Sequence, residues 1–247
     1  MTWVYLSPHL DDAALSCGGL IWEQAREGES VSIWTICAGD PPAGPSSDFA
    51  QSLHARWRAG EQAAASRRLE DLDSCQALQA TSRHFTLPDC IYRQAPGTQI
   101  SLYASEQALF SMLDPVEAPV VNQLSSELAL DLPVNATLVV PLALGGHVDH
   151  RLTRLAAEQL SRQDLRIFYY ADYPYVIKMK TKLAALGEAG WLARTFPVTQ
   201  AGLAAWQASI AAHASQISTF WSGLEAMRSA IEAYWAETGG VRLWESP

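Results

Sequence analysis

The sequence predicts an α/β protein built as one domain on a mostly parallel sheet flanked by helices. Three observations carry that expectation. The first 37 residues run strand, helix, strand, a βαβ unit that requires parallel pairing. A later apolar run, Thr137–Leu144, again passes directly into a helical pattern, Arg151–Arg162. The chain has 247 residues, 49% of them hydrophobic and 17% charged, enough to bury a large single core.

Taken in order, residues 2–6 are apolar and β-prone, too short for a helix, and end at Ser7-Pro8. After the loop Ser7–Asp12, Ala13–Arg26 places Leu15, Leu20, Ile21 and Trp22 at helical spacing, and Gly28 closes that helix. Val31–Cys37 reads as a second strand and Ala38–Ser47 as a Gly/Pro/Ser loop, with Asp40–Ser47 long enough for a lid or an ordinary surface loop. Asp48–Asp73 is expected as one long helix capped at Ser47 or Asp48. A third strand is expected over 83–92, then helices over Ser105–Leu113 and Val120–Leu130, separated by Pro115 and Pro119. Thr137–Leu144 and Leu165–Tyr170 are further strands. Helical patterns cover Lys178–Gly187, Gln200–Trp221 and Met227–Glu237, and Val241–Trp244 is expected to return as a short edge strand.

The net charge of -9, spread along the chain, argues against a nucleic-acid footprint or a polybasic membrane anchor. No apolar run approaches the ~20 residues of a membrane helix, and the first residues do not form a signal peptide. Cys17, Cys37, Cys75 and Cys90 are scattered and read as buried thiols of a reducing compartment, so a cytoplasmic location is expected. Trp206, Trp221 and Trp235 on the late helices point to core packing or to contacts of a homo-oligomer. His54 and His84 are isolated and expected at the surface, and His213 in packing.

Chemistry concentrates at two places. Ser7-Pro8-His9-Leu10-Asp11-Asp12 and His147-Val148-Asp149-His150 each offer two ligand types three residues apart, His9 with Asp12 and His147 with His150, and both follow a strand. At that spacing both side chains leave one face of a helical turn. In open α/β sheets ligands gather at the carboxyl ends of strands, which is where both pairs fall. Two imidazoles and one carboxylate with an open position suit catalytic zinc, and they also suit Fe(II). A metal there would acidify a water and polarise a carbonyl. Asp11, adjoining Asp12 but pointing elsewhere, is placed to take the water's proton, its alternative being a helix N-cap. Spacing leaves open which of His147 and His150 is the third ligand. The remaining one, protonated, would serve the oxyanion or the leaving amine, and Asp149 would orient an imidazole or simply favour the helix N-terminus. Walker, Gly-x-Gly-x-x-Gly, His-Glu-x-x-His and Gly-x-Ser-x-Gly motifs are absent.

Pro8-His9-Leu10-Asp11-Asp12 followed by Cys17-Gly18-Gly19 resembles the first signature of the PIG-L/LmbE-like family of zinc N-deacetylases, and His147-Val148-Asp149-His150 resembles its second. Arg58-x-x-Glu61 and Leu87-Pro88-Asp89 are also similar to the family pattern, and the likeness covers about residues 2–175. The resemblance implies a Rossmann-like fold over 1–247 with the C-terminal helices, about 200–237, packed on it. It also implies one zinc on His9, Asp12 and His150, with Asp11 as base and His147 as the free imidazole. Its implied substrate is an N-acetylglucosaminyl conjugate, with Arg58, Asp89 and Asp40 as substrate contacts. Leu10 and Ala13 depart from the family pattern. So does the lack of a tyrosine just before the second signature, which leaves carbonyl polarisation to zinc and His147 or to a distant Tyr173 or Tyr175. The competing readings are an amide hydrolase on a non-sugar substrate and a non-catalytic metal- or sugar-binding protein. Retention of Asp11 favours catalysis, because metal binding alone has no need of it.

Overall fold

The computed structural model describes residues 1–44, 46–57, 62–160 and 165–247. Their strands are β1 (Thr2–Ser7), β2 (Ser30–Thr35), β3 (Thr81–His84), β4 (Ala136–Pro141), β5 (Arg166–Tyr170), β6 (Leu192–Pro197) and β7 (Gly240–Glu245). They form one sheet in the order β3-β2-β1-β4-β5-β7-β6. The first five are parallel, and β7 is antiparallel to both neighbours. Because β1 and β4 are buried on both faces, they read as continuous apolar runs: Val4, Tyr5 and Leu6, like Leu138, Val139 and Val140, have no exposed surface.

The helices are α1 (Asp12–Arg26), α2 (Asp48–Trp57), α3 (Ala63–Ala77), α4 (Glu106–Leu109), α5 (Ala118–Asp131), α6 (Val148–Glu158), α7 (Tyr175–Lys178), α8 (Lys180–Glu188), α9 (Gln200–Ala212), α10 (Ala214–Phe220) and α11 (Leu224–Thr238). Two groups form, α1 and α3 with α9, and α5 with α6, as right-handed crossovers on either side of a strand-order reversal require. The Cys17-Gly18-Gly19 stretch has a packing purpose here. A Cβ on Gly18 would lie 2.5 Å from Trp206 Cδ1, and one on Gly19 2.8 Å from Val198 Cγ1. Bare backbone lets the fully buried Trp206 indole reach α1, where Nε1 donates to the Ala14 carbonyl at 2.8 Å.

Several expectations change. The helix expected over 48–73 is two helices, α2 and α3, and Arg58 and Glu61 lie outside the described residues. The third strand is earlier and shorter, and Cys90–Tyr92 form a 3-10 turn started by Asp89, whose carboxylate accepts from the Ile91 amide. Only Glu106–Leu109 is helical within 105–113. Gln200–Trp221 is interrupted at His213, whose ψ of 58° is incompatible with a continuing helix. The C-terminal strand is not an edge: β6, unrecognised in the sequence, covers it. His54 meets the Tyr92 hydroxyl at 2.5 Å and His84 meets Asp71 at 2.7 Å, so neither is an isolated surface histidine. All four cysteines are buried and unbonded, as expected. Among the described residues no helix is long and apolar enough to cross a membrane.

Candidate metal centre

Strand order brings the two motifs together. β1 and β4 are neighbours at the point where the order reverses, so the loops leaving their carboxyl ends share one crevice. Ser7 fixes the first loop, its hydroxyl donating to the His9 carbonyl at 2.6 Å and accepting from the Ala13 amide at 3.0 Å. The His9 amide in turn donates to Asp12 Oδ2 at 2.8 Å. Asp11 stands at the N-cap position of α1 yet makes no capping hydrogen bond, which removes the bland account of its carboxylate.

Asp12 Oδ2 lies 3.1 Å from His9 Nδ1 and 3.3 Å from His150 Nε2. Zinc bonds of about 2.0–2.1 Å in a tetrahedron set neighbouring donor atoms about 3.3 Å apart, so each of these two separations matches a pair of donors on such an ion. Ring nitrogens of His9, His147 and His150 also lie within 4.8 Å of one another, as do donor atoms of Cys90, His147 and Asp149 and of His9, Asp89 and Asp149. The crevice therefore offers a metal-binding group of histidines, carboxylates and one thiol.

The other ring nitrogens are held from behind. His150 Nδ1 sits 2.6 Å from Asp172 Oδ1, which leaves Nε2 facing Asp12. Asp172, just past the end of β5, also accepts from the Leu144 amide at 3.0 Å. His9 Nε2 is 2.9 Å from Asp149 Oδ2, an oxygen that also accepts from the Cys90 amide at 3.0 Å. Arg93, itself buried, donates to Asp149 Oδ1 and to Glu117, and the Tyr103 hydroxyl donates to the same Glu117. Such carboxylate–imidazole pairs fix the orientation of metal-binding histidines.

Electrostatics separates the acids and bases. Burial lifts Asp11 to about 6, against the pull of Arg67. Asp12 and Asp149 are also buried, but neighbouring cations hold both well below the usual carboxylate range. Burial opposes charge on His150, yet Asp12 and Asp172 outweigh it and push it up to about 10. His147 goes the other way, pushed down to about 3 by burial and by positive His9. Its Nδ1 accepts from the Asp149 amide at 3.3 Å, so the neutral ring carries its proton on Nε2. The protonated imidazole expected at this position is thus disfavoured.

Of the expected substrate contacts, Asp89 reaches the cluster, its Oδ2 3.8 Å from His9 Nε2. The Asp40 carboxylate is 73% exposed and pairs with Arg68 at 2.7 Å. Arg58 lies outside the described residues. The sequence reading missed Arg67, Arg93 and Asp172. Asp172 carried the same signal as the others, a carboxylate just after a strand, whereas the two arginines are single residues in stretches with no motif.

A family model described as PIG-L, GlcNAc-PI de-N-acetylase, matches residues 4–161. The 2'-N-acetylparomamine deacetylase of Niallia circulans is 29% identical over 191 residues, covering 70% of this chain and 67% of that protein. The zinc-inhibited form of a teicoplanin deacetylase superposes with a TM-score of 0.78 at 24% identity, over 99% of this chain and 97% of the other. A deacetylase–teicoplanin complex gives 0.77 at 25% identity, with the same coverage of both chains. With two signatures meeting in one crevice and the family pattern spanning more than half of its length, the chain belongs to the PIG-L family and is an N-deacetylase-type hydrolase.

Proposed function

We propose that this enzyme removes the N-acetyl group from an N-acetylglucosaminyl-type conjugate, using one zinc held by His9, Asp12 and His150 and Asp11 as general base. The observation that carries the reading is the pairing of two adjacent carboxylates with opposite environments. Asp12 is kept ionised between two imidazoles, while Asp11 is uncapped, buried and lifted to about 6. Neighbouring acids pushed apart in this way divide into ligand and base. The relatives named for deacetylating 2'-N-acetylparomamine and teicoplanin support an amino-sugar conjugate.

When bound, the zinc would acidify a water and polarise the acetyl carbonyl. Asp11, ionised at neutral pH, would accept a proton from the water that attacks the carbonyl carbon. As the C–N bond breaks, Asp11 would return the proton to the departing nitrogen, so that amide and water become amine and acetic acid, which at neutral pH are ammonium and acetate. His147 acts as a neutral donor through Nε2–H, and Asp149 locks His9 with one face and Arg93 with the other. Asp89 is placed to meet a sugar hydroxyl at the rim of the cluster.

The test joins metal analysis to acetate release from N-acetylglucosamine conjugates. Wild type is expected to hold one zinc and release acetate, and Asp11→Asn to keep the metal with a rate at least about 10²-fold lower. Metal-loaded protein that released no acetate from any such conjugate, with Asp11→Asn indistinguishable, would end the reading. If Asp12→Ala and His150→Ala both kept full metal content, the ligand set would be wrong.

A further inference from the structure

Behind His9 the hydrogen bonds do not end at Asp149. Asp149 Oδ2 faces His9 Nε2 at 2.9 Å, while Oδ1 accepts from Arg93 Nη1. The same guanidinium turns its other edge to Glu117, Nε donating to Oε1 and Nη2 to Oε2 at 3.3 Å. Glu117 Oε2 also accepts from the Tyr103 hydroxyl, and that hydroxyl accepts from the Asp114 amide at 3.0 Å. One connected chain therefore runs from the turn before α5 to the crevice, through Tyr103, Glu117, Arg93 and Asp149, none more than 7% exposed. Tyr103 is anchored in an apolar cluster with Leu53, Ile91 and Val148, so the far end is fixed.

Packing alone does not account for this chain. Two carboxylates share one guanidinium, which keeps one formal negative charge buried among the three groups. Apolar side chains of similar volume are often as stable in such places, because each buried ion must be stripped of water. The balancing positive charge has its place at the near end, where His9 turns its other nitrogen, Nδ1, to Asp12. A carboxylate behind a metal-binding imidazole orients the ring and strengthens it as a donor. Glu117 acts on that carboxylate in two ways. Its two-bond grip sets the plane of the Arg93 guanidinium, and its charge draws part of the arginine's pull away from Asp149. Its place in the fold agrees. Glu117 stands at the N-cap position of α5, where an acid can serve the helix, yet its side chain makes no capping bond and is turned inward.

We infer that Glu117 and Tyr103 are positioning residues that hold and strengthen the zinc ligand His9 through Arg93 and Asp149. The inference rests on the reading of His9 as a ligand given above.

The experiment measures zinc affinity of the metal-free proteins by competition with a chromophoric chelator, with urea midpoints taken alongside. Glu117→Gln keeps the shape and removes the charge, and is expected to bind zinc about tenfold more weakly. Tyr103→Phe removes one hydroxyl and is expected to lose about threefold, which keeps the comparison open if Glu117→Gln does not fold. In Arg93→Met, adding Glu117→Gln is expected to weaken zinc no further, because the route passes through the arginine. A lower urea midpoint with unchanged zinc affinity would show a purely structural role and overturn the inference. Losses that simply add in the double variant would overturn it too. His9→Ala that binds zinc as wild type does would sink the ligand set instead, an outcome separate from either.

Discussion

Arg67 reaches across from α3 to Asp11, its Nη2 3.7 Å from Oδ1, and both side chains are more than nine-tenths buried. The guanidinium lies 5.0 Å over the Trp57 ring, and its Nε has no partner among the described residues. Burial raises the Asp11 carboxyl, and Arg67 is the strongest influence holding it down. An opposite charge favours the ionised acid, so removing it must raise the pKa further above about 6. In Arg67→Met the acidic limb of kcat/KM is expected to move up by about one pH unit or more, with rates converging at alkaline pH. A pH profile that stays in place would show that Asp11 is not the group titrating.

Metal loading must compete with protons. Ligation needs neutral imidazole, yet without metal the carboxylates around His9 and His150 hold both rings charged at neutral pH, His150 up to about 10. Binding at pH 7 is therefore expected to expel roughly two protons per metal, and affinity is expected to fall as pH drops. Calorimetric titration of metal-free protein in two buffers of different ionisation enthalpy measures the release. Heats independent of the buffer would mean that the two rings are already neutral.

What the sequence disclosed, and what it hid, follows from where each signal resides. The segments β1–α1–β2 and β4–α6 were legible because buried parallel strands are continuous apolar runs that stop at polar loops. His9, Asp12, His147 and His150 were legible because each pair lies within one turn. β6 was hidden because Leu192, Ala193, Arg194, Thr195 and Pro197 are exposed, so the strand lacks a periodic apolar face and is defined by pairing with β7. The break at His213 was hidden because helix-compatible residues flank it on both sides. Arg67 and Arg93 meet their partners only across the fold, and spacing along the chain cannot report such contacts.

Arg93 ties two buried acids that would otherwise repel. It donates to Asp149, which has no exposed surface, and to Glu117, which is 2% exposed. Arg93→Met would leave both carboxylates without their cation, a change that costs about 3–5 kcal/mol when one member of a buried pair is removed. Urea denaturation of the metal-free protein is the measurement. The same variant should bind zinc roughly 10- to 100-fold more weakly, because Asp149 would no longer hold His9 in place. Wild-type stability in Arg93→Met would show that solvent replaces the arginine at no cost.

His213 predicts how stability depends on pH outside the ligand set. It sits between α9 and α10, 2% exposed, with no partner for Nε2 among the described residues. Burial pushes it down to about 4, with Asp71 pulling the other way and Arg67 adding to the fall. The unfolded chain, with a histidine pKa near 6.5, therefore binds the proton more readily than the folded one. The stabilising preference for neutral imidazole is full above about 6.5 and is lost progressively as pH falls toward about 4, a total of about 3 kcal/mol. His213→Leu removes the titrating group while keeping an apolar side chain in the break. Between pH 7.5 and 4.5 its urea midpoint should fall less than that of wild type, and equal losses in the two proteins would assign the acid sensitivity elsewhere.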